Sequence, residues 1–201
     1  ISTRVSASAS HKEKVKKTRD SGFTWIDVEG KDTYRVSATF ILNQAPADWS
    51  YFANDIDVSV GDISCSPDIK KSKAKKGSAT FKEKDKEFKS SINCTVKWSK
   101  NTITLTLAGS NFEEDSLISF VDEDEPKFEE EIDISVDLGG ISCEATIVMR
   151  GTLSVQQKTV KSGKGEDAEI DDFELINWRA SGSAKQAGGG GGGIRMVLGR
   201  K

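Results

Sequence analysis

One histidine, His11, is the only imidazole in the 201 residues. A Ser-His-acid triad, a Cys-His pair or a histidine-based metal site needs that ring set against partners from elsewhere in the chain. His11 stands instead among Lys12, Lys14, Lys16, Lys17 and Arg19, in a stretch read as having no hydrophobic period. Those chemistries are therefore not expected. The six glycines 188–193 lack the Lys-Ser/Thr that completes a phosphate-binding loop. Acids are plentiful enough for two-carboxylate catalysis, but nothing in their spacing marks a pair. The expectation is a non-enzymatic protein with no catalytic residues.

Three cysteines, Cys65, Cys94 and Cys143, have no C-x-x-C spacing, so zinc is not indicated. Cys65 and Cys94 fall at apolar positions of two strand-like segments and form the disulfide candidate, which implies an oxidising compartment. The alternative is three buried thiols acting as small hydrophobes. Cys143 is left unpaired in either case.

Charge is distributed unevenly. Residues 1–110 hold 19 Lys+Arg and 13 Asp+Glu, net +6, and residues 111–201 hold 10 and 19, net −9. Nine lysines and three acids lie in 69–89, with Lys70, Lys71, Lys73, Lys75 and Lys76 as the anion-binding candidates. Lysine without arginine or a stacking platform favours a polyanion or glycan over nucleic acid. A lysine-protected strand edge is the plainer reading. Between Glu113 and Asp137 stand twelve acids and one base, Lys127. Asp122, Asp124 and Glu125 could offer hard oxygens to calcium, although the spacing of an EF-hand loop is absent. No other cofactor is indicated.

The elements that would position these residues are strands. Tyr34, Val36, Ala38, Phe40 and Leu42 alternate with polar neighbours. So do Ile92, Cys94, Val96 and Trp98, then Ile103, Leu105 and Leu107, then Ala145, Ile147 and Met149, and Leu153 with Val155. No 3.6-residue stripe competes. Residues 55–65 and 131–143 resemble each other: both alternate Ile/Val with Asp/Ser, pass through glycine and end Ile-Ser-Cys. In both, the apolar parity flips at the glycine, which predicts a β-bulge or tight bend at Gly61 and at Gly139–Gly140.

The expected fold is all-β: an antiparallel β-sandwich of two related strand-rich units with bulged strands and flexible terminal arms. The expected divisions are a basic arm over 1–22, unit one over 23–110, unit two over 111–181, and a Gly-rich linker and tail over 182–201. No run approaches the roughly 18 apolar residues of a membrane-spanning helix. The opening at Ile1 is read as what remains after leader removal or excision, with an extracytoplasmic, secreted or surface setting expected and an organelle as alternative. Two functions compete. The first is a structural or interaction subunit of an extracellular, surface or virion-like assembly, working through arms and opposite-charge faces, with a protein partner or self-assembly. The second is an extracytoplasmic binding module for a polyanion or glycan, through the lysine segment.

Overall fold

The computed structural model describes residues 1–20, 23–51, 55–86, 89–111, 118, 125–162 and 169–186. Its strands are β1 (Ser2–Asp20), β2 (Phe23–Ile41), β3 (Ile56–Val60), β4 (Ile63–Cys65), β5 (Asp68–Lys73), β6 (Lys76–Lys84), β7 (Ser91–Ser99), β8 (Thr102–Ser110), β9 (Lys127–Leu138), β10 (Ile141–Ser162) and β11 (Glu169–Gln186). One 3-10 turn, Trp49–Tyr51, interrupts them, and no α-helix occurs among the described residues. All eleven strands form a single antiparallel sheet in the order β4-β3-β9-β10-β11-β1-β2-β8-β7-β6-β5.

This differs from a sandwich of two units. β3, from the first half of the chain, pairs with β9, from the second half. The buried apolar residues of both halves form one cluster. Within the segment expected as an arm, Ser2–Asp20 form β1, the middle strand of the sheet, paired with β11 on one side and β2 on the other. Thr3, Val5, Ala7 and Ala9 are buried, while Arg4, Ser6 and Ser8 between them are exposed. Residues 182–186 continue β11. The glycine run and the rest of the tail lie outside the described residues.

Both predicted bends are chain reversals. Val60 faces Ile63 and Leu138 faces Ile141 across two-residue turns, Gly61-Asp62 and Gly139-Gly140. Gly61, Gly139 and Gly140 have φ of 56, 53 and 114°, where a side chain would be strained. A two-residue turn puts its flanking residues on one face, as a bulge would, so the parity flip arises without one. The register irregularity in this sheet lies elsewhere, between Ile69 and Lys71 on β5. The two Ile-Ser-Cys hairpins lie side by side through β3 and β9, with Ser59 opposite Ser135.

β4 and β5 stand at opposite ends of the strand order, yet only Ser66 and Pro67 separate them. Three Cα–Cα steps span at most about 11 Å. The sheet must therefore curl until its two edges meet at this corner. Pro67 is buried there, and its missing N–H suits a strand that leaves one ladder to join another. Trp49 plugs one end of the curl. It is fully buried, its ring lies 6.4 Å from that of Trp98, and its indole N–H donates to the Lys100 carbonyl at 2.9 Å.

Inside, Phe40, Ile103, Leu105, Leu107, Val96 and Leu138 are completely buried. Each such side chain contributes roughly 1.5–3 kcal/mol. Exposed ion pairs contribute about 0–1 kcal/mol, so the core rather than the surface charge holds the curl. Three large inward rings lie on glycines of the next strand: Trp98 on Gly77, Tyr34 on Gly109 and Phe128 on Gly151. A Cβ at any of these glycines would fall within 2.3 Å of a ring atom.

At the other end the sheet divides. The β1–β11 ladder stops at Lys12 and Asn177. β1 continues with β2 to Asp20–Phe23, and β10 with β11 to Ser162–Glu169. Two ribbons thus leave the body of the sheet, and the Lys17 ammonium on one donates to the Lys161 carbonyl on the other at 2.9 Å.

Candidate functional site

Just below the division is an open cavity of about 1170 Å³. Two cross-strand rows supply most of its lining. One runs Ala108, Arg35, Ser8, Ser181, Arg150, Glu129 across β8, β2, β1, β11, β10 and β9. The next includes Thr33, Ser10, Arg179, Thr152 and Lys127. Strand alternation explains the assembly. These positions point away from the core, while Tyr34, Ala9, Ala180 and Gly151 between them are buried.

Arg35, Arg150 and Arg179 are exposed. Arg150 is held by Glu129, Nε to Oε1 at 2.7 Å. Among the described residues, Arg35 and Arg179 have no ion-pair partner. With Lys127 there are four cations against the carboxylates of Glu125 and Glu129, so the lining is net +2. Arg35 and Arg150 stand three strands apart, about 14 Å at the usual strand spacing. One oxyanion, bound at about 2.8 Å, cannot bridge them. A ligand with several anionic groups can. The hydroxyls of Ser8, Ser10, Thr33, Thr152 and Ser181 add donors and acceptors between the guanidinium groups.

A smaller hollow of about 380 Å³ adjoins, sharing Ser10, Thr152 and Arg179. His11 sits in it on the inward side of β1. Its Nδ1 lies 2.8 Å from Asp32 Oδ1 and its Nε2 3.6 Å from Glu13 Oε1. The ring stacks on Trp178 at 6.1 Å, and Trp178 meets Phe128 edge-on at 6.0 Å. Glu13 also accepts the Ile176 N–H at 2.6 Å, one residue beyond the end of the β1–β11 ladder. The hydrogen bond to Asp32 raises the His11 pKa, with burial opposing it and Glu13 assisting. Carboxylates face both nitrogens, which stabilises the charged ring relative to a free imidazole. Ser10, the nearest hydroxyl in sequence, bonds to Thr33 at 2.9 Å. The histidine is thus a joint where the two ribbons separate.

The remaining candidates fall apart in space. Lys70, Lys71, Lys73, Lys75 and Lys76 occupy the β5 edge and its turn into β6, exposed and away from both hollows. Asp122 and Asp124 lie outside the described residues. Glu125 borders the large cavity. Among the described residues no group of three or more His, Cys, Asp or Glu side chains could hold a metal ion.

Cys65 and Cys94 are buried on β4 and β7 and meet across the core as free thiols. Burial and the neighbouring Cys65 thiol push Cys94 up. Burial pushes Cys143 up to about 12.

Sequence reasoning missed the arginines because 114 residues lie between Arg35 and Arg150. The available signal was one outward arginine in each of three alternating segments. Comparison with known proteins finds no matching family model, curated protein or solved structure for this chain.

Proposed function

We propose that this protein is a non-enzymatic binding module that takes an anionic glycan into the arginine-lined cavity. The observation that carries the reading is the pair Arg35 and Arg179, exposed in an open hollow and free of ion-pair partners among the described residues. Guanidinium groups bind carboxylate and sulfate oxygens in bidentate fashion, and the Ser/Thr rows between them suit sugar hydroxyls. Nucleic acid fits less well: among the described residues the exposed aromatic side chains, Trp25 and Tyr51, lie away from the cavity, and the rings that border it, Tyr34 and Phe128, turn inward onto Gly109 and Gly151. The lysine segment offers charge without concavity. An extracytoplasmic setting and a Cys65–Cys94 disulfide belong to the same proposal. The two Ile-Ser-Cys hairpins are read as copies of one duplicated unit.

Calorimetric titration with a sulfated oligosaccharide and its desulfated analogue tests the reading. Wild type should bind the sulfated form more tightly. Hydrogen bonds to charged groups contribute about 1.5–3 kcal/mol each, so Arg35→Gln with Arg179→Gln should weaken binding at least about 100-fold. Lys70→Gln with Lys71→Gln should leave it unchanged. Equal binding by the arginine variant, or no binding by wild type, would defeat the proposal.

A second reading, an interaction subunit that self-assembles, is favoured by a separate observation at the strand edges.

A further inference from the structure

Hydrogen-bond alternation identifies an unpaired stretch on β9. The Leu153 N–H donates to the Pro126 carbonyl, and the ladder that follows pairs Phe128 with Gly151 and Glu130 with Met149. In an antiparallel ladder every second residue turns its backbone groups to one neighbour. Even-numbered residues of β9 therefore bond to β10, and odd-numbered ones face the other way. The Gly61 N–H takes the Asp133 carbonyl on that far side, and β3 pairs from Ile134 onward. Among the described residues nothing pairs with Lys127, Glu129 and Glu131 there. The side chains of these three are exposed, on the outer face.

β5 is the second open edge, paired only with β6. Lys71 and Lys73 lie on its outer face, since their partners are Ser78 and Lys76, whereas Ile69 pairs with the fully buried Ala79. Only its end is capped, where the Trp49 N–H meets the Ala74 carbonyl.

One open edge thus carries lysines two residues apart and the other carries glutamates two residues apart, on the same face. We propose that copies of this chain add edge to edge, β5 of one against residues 127–131 of β9 of the next. The incoming strand runs parallel: Glu129 and Glu131 turn their backbone groups to the open edge, Lys71 and Lys73 turn theirs to β6, and a parallel pair sets such residues opposite each other, Lys71 by Glu129 and Lys73 by Glu131. Lysines that only protected an edge would need no acidic counterpart at the matching spacing. Unlike edges on one molecule make a heterologous contact, which builds a ring if the rotation closes and a filament if it does not. The partner is a second copy of this chain, recognised through main-chain hydrogen bonds and cross-strand charge pairs. The docking stretch shares Lys127 and Glu129 with the cavity rim, and Glu129 also holds Arg150, so self-association is measured with no anionic ligand present, where it stands or falls by itself.

Charge reversal gives the test. Lys71→Glu with Lys73→Glu makes both edges acidic, and Glu129→Lys with Glu131→Lys makes both basic. All four side chains are on exposed positions, and unchanged circular dichroism and melting temperature establish that each variant folds. Light scattering should show wild type associating at low salt and dissociating toward about 1 M, where screening acts within about 3 Å. Each variant alone should remain monomeric at concentrations where wild type associates. Mixed in equal amounts, they should associate again, because each basic edge now meets an acidic one. A monomeric wild type at low salt, variants that associate alone, or a mixture that stays monomeric would overturn the proposal.

Discussion

Gly151→Ala probes the column that links the cavity to the histidine joint. A Cβ at Gly151 would lie 2.0 Å from Phe128 Cζ, 2.4 Å from Cε1 and 2.5 Å from Cε2. Ordinary contact requires the ring to move by more than 1 Å. Phe128 cannot slide toward Trp178, whose ring meets it at 90° and is itself stacked on His11. Overpacking costs about 1–3 kcal/mol, and a lost edge-to-face pair adds about 0.5–1.5 kcal/mol. Restricting the unfolded chain returns about 0.4–1 kcal/mol. The net expectation is a loss of about 1–3 kcal/mol, or roughly 3–10 °C in melting temperature for a chain of this size. Urea unfolding measures it, and a double-mutant cycle with Phe128→Ala isolates the cause. In the Phe128→Ala background the alanine should be neutral or stabilising. A Gly151→Ala protein as stable as wild type, or additive costs in the double mutant, would refute the reasoning.

Four other outcomes are expected. The His11 pKa is raised in the folded state, so its contribution is complete below the unfolded value of about 6.5 and is lost as pH rises through the folded value. Urea unfolding as a function of pH should therefore show wild type losing stability across that window and His11→Gln losing less. Exposure to oxidised glutathione should link Cys65 to Cys94, which enclose 28 residues, and stabilise the chain by about 3–4 kcal/mol relative to Cys65→Ser with Cys94→Ser. Mass spectrometry of the alkylated protein should find Cys143 as a thiol that reacts slowly in the native state. Trp49→Ala should cost about 3–5 kcal/mol in urea unfolding, since a fully buried ring and its bond to Lys100 are both lost.

The strands built on large side chains were legible: Val36 to Phe40, Ile92 to Trp98 and Ile103 to Leu107 alternate as plainly in the sequence as in the sheet. β1 was not, because its inward residues Ala7 and Ala9 are small and its outward ones are serines, which reads as low complexity. Those alanines face Val36 and Tyr34 across β2 and Gly182 and Ala180 across β11. Small residues there leave room for the larger rings nearby, a requirement that exists only once the neighbours are known. Parity could not separate a bulge from a two-residue reversal at Gly61, since both return Val60 and Ile63 to one face. The candidate site was hidden for a related reason. Arg35, Arg150 and Arg179 converge only through the register of four strands. The acidic and basic segments were visible, but their place on unpaired edges was not.

The central position of β1 has a consequence for synthesis. Its first partner, β2, follows almost at once, but its second, β11, ends at Gln186. At translation rates of about 5–20 residues per second, β1 waits on the order of ten seconds or more with one side unsatisfied. During that time the nascent hairpin presents Val5, Ala7 and Ala9 without the strand that completes their cover. The serines and lysines that alternate along β1 give this waiting hairpin a polar face until β11 emerges from the ribosome.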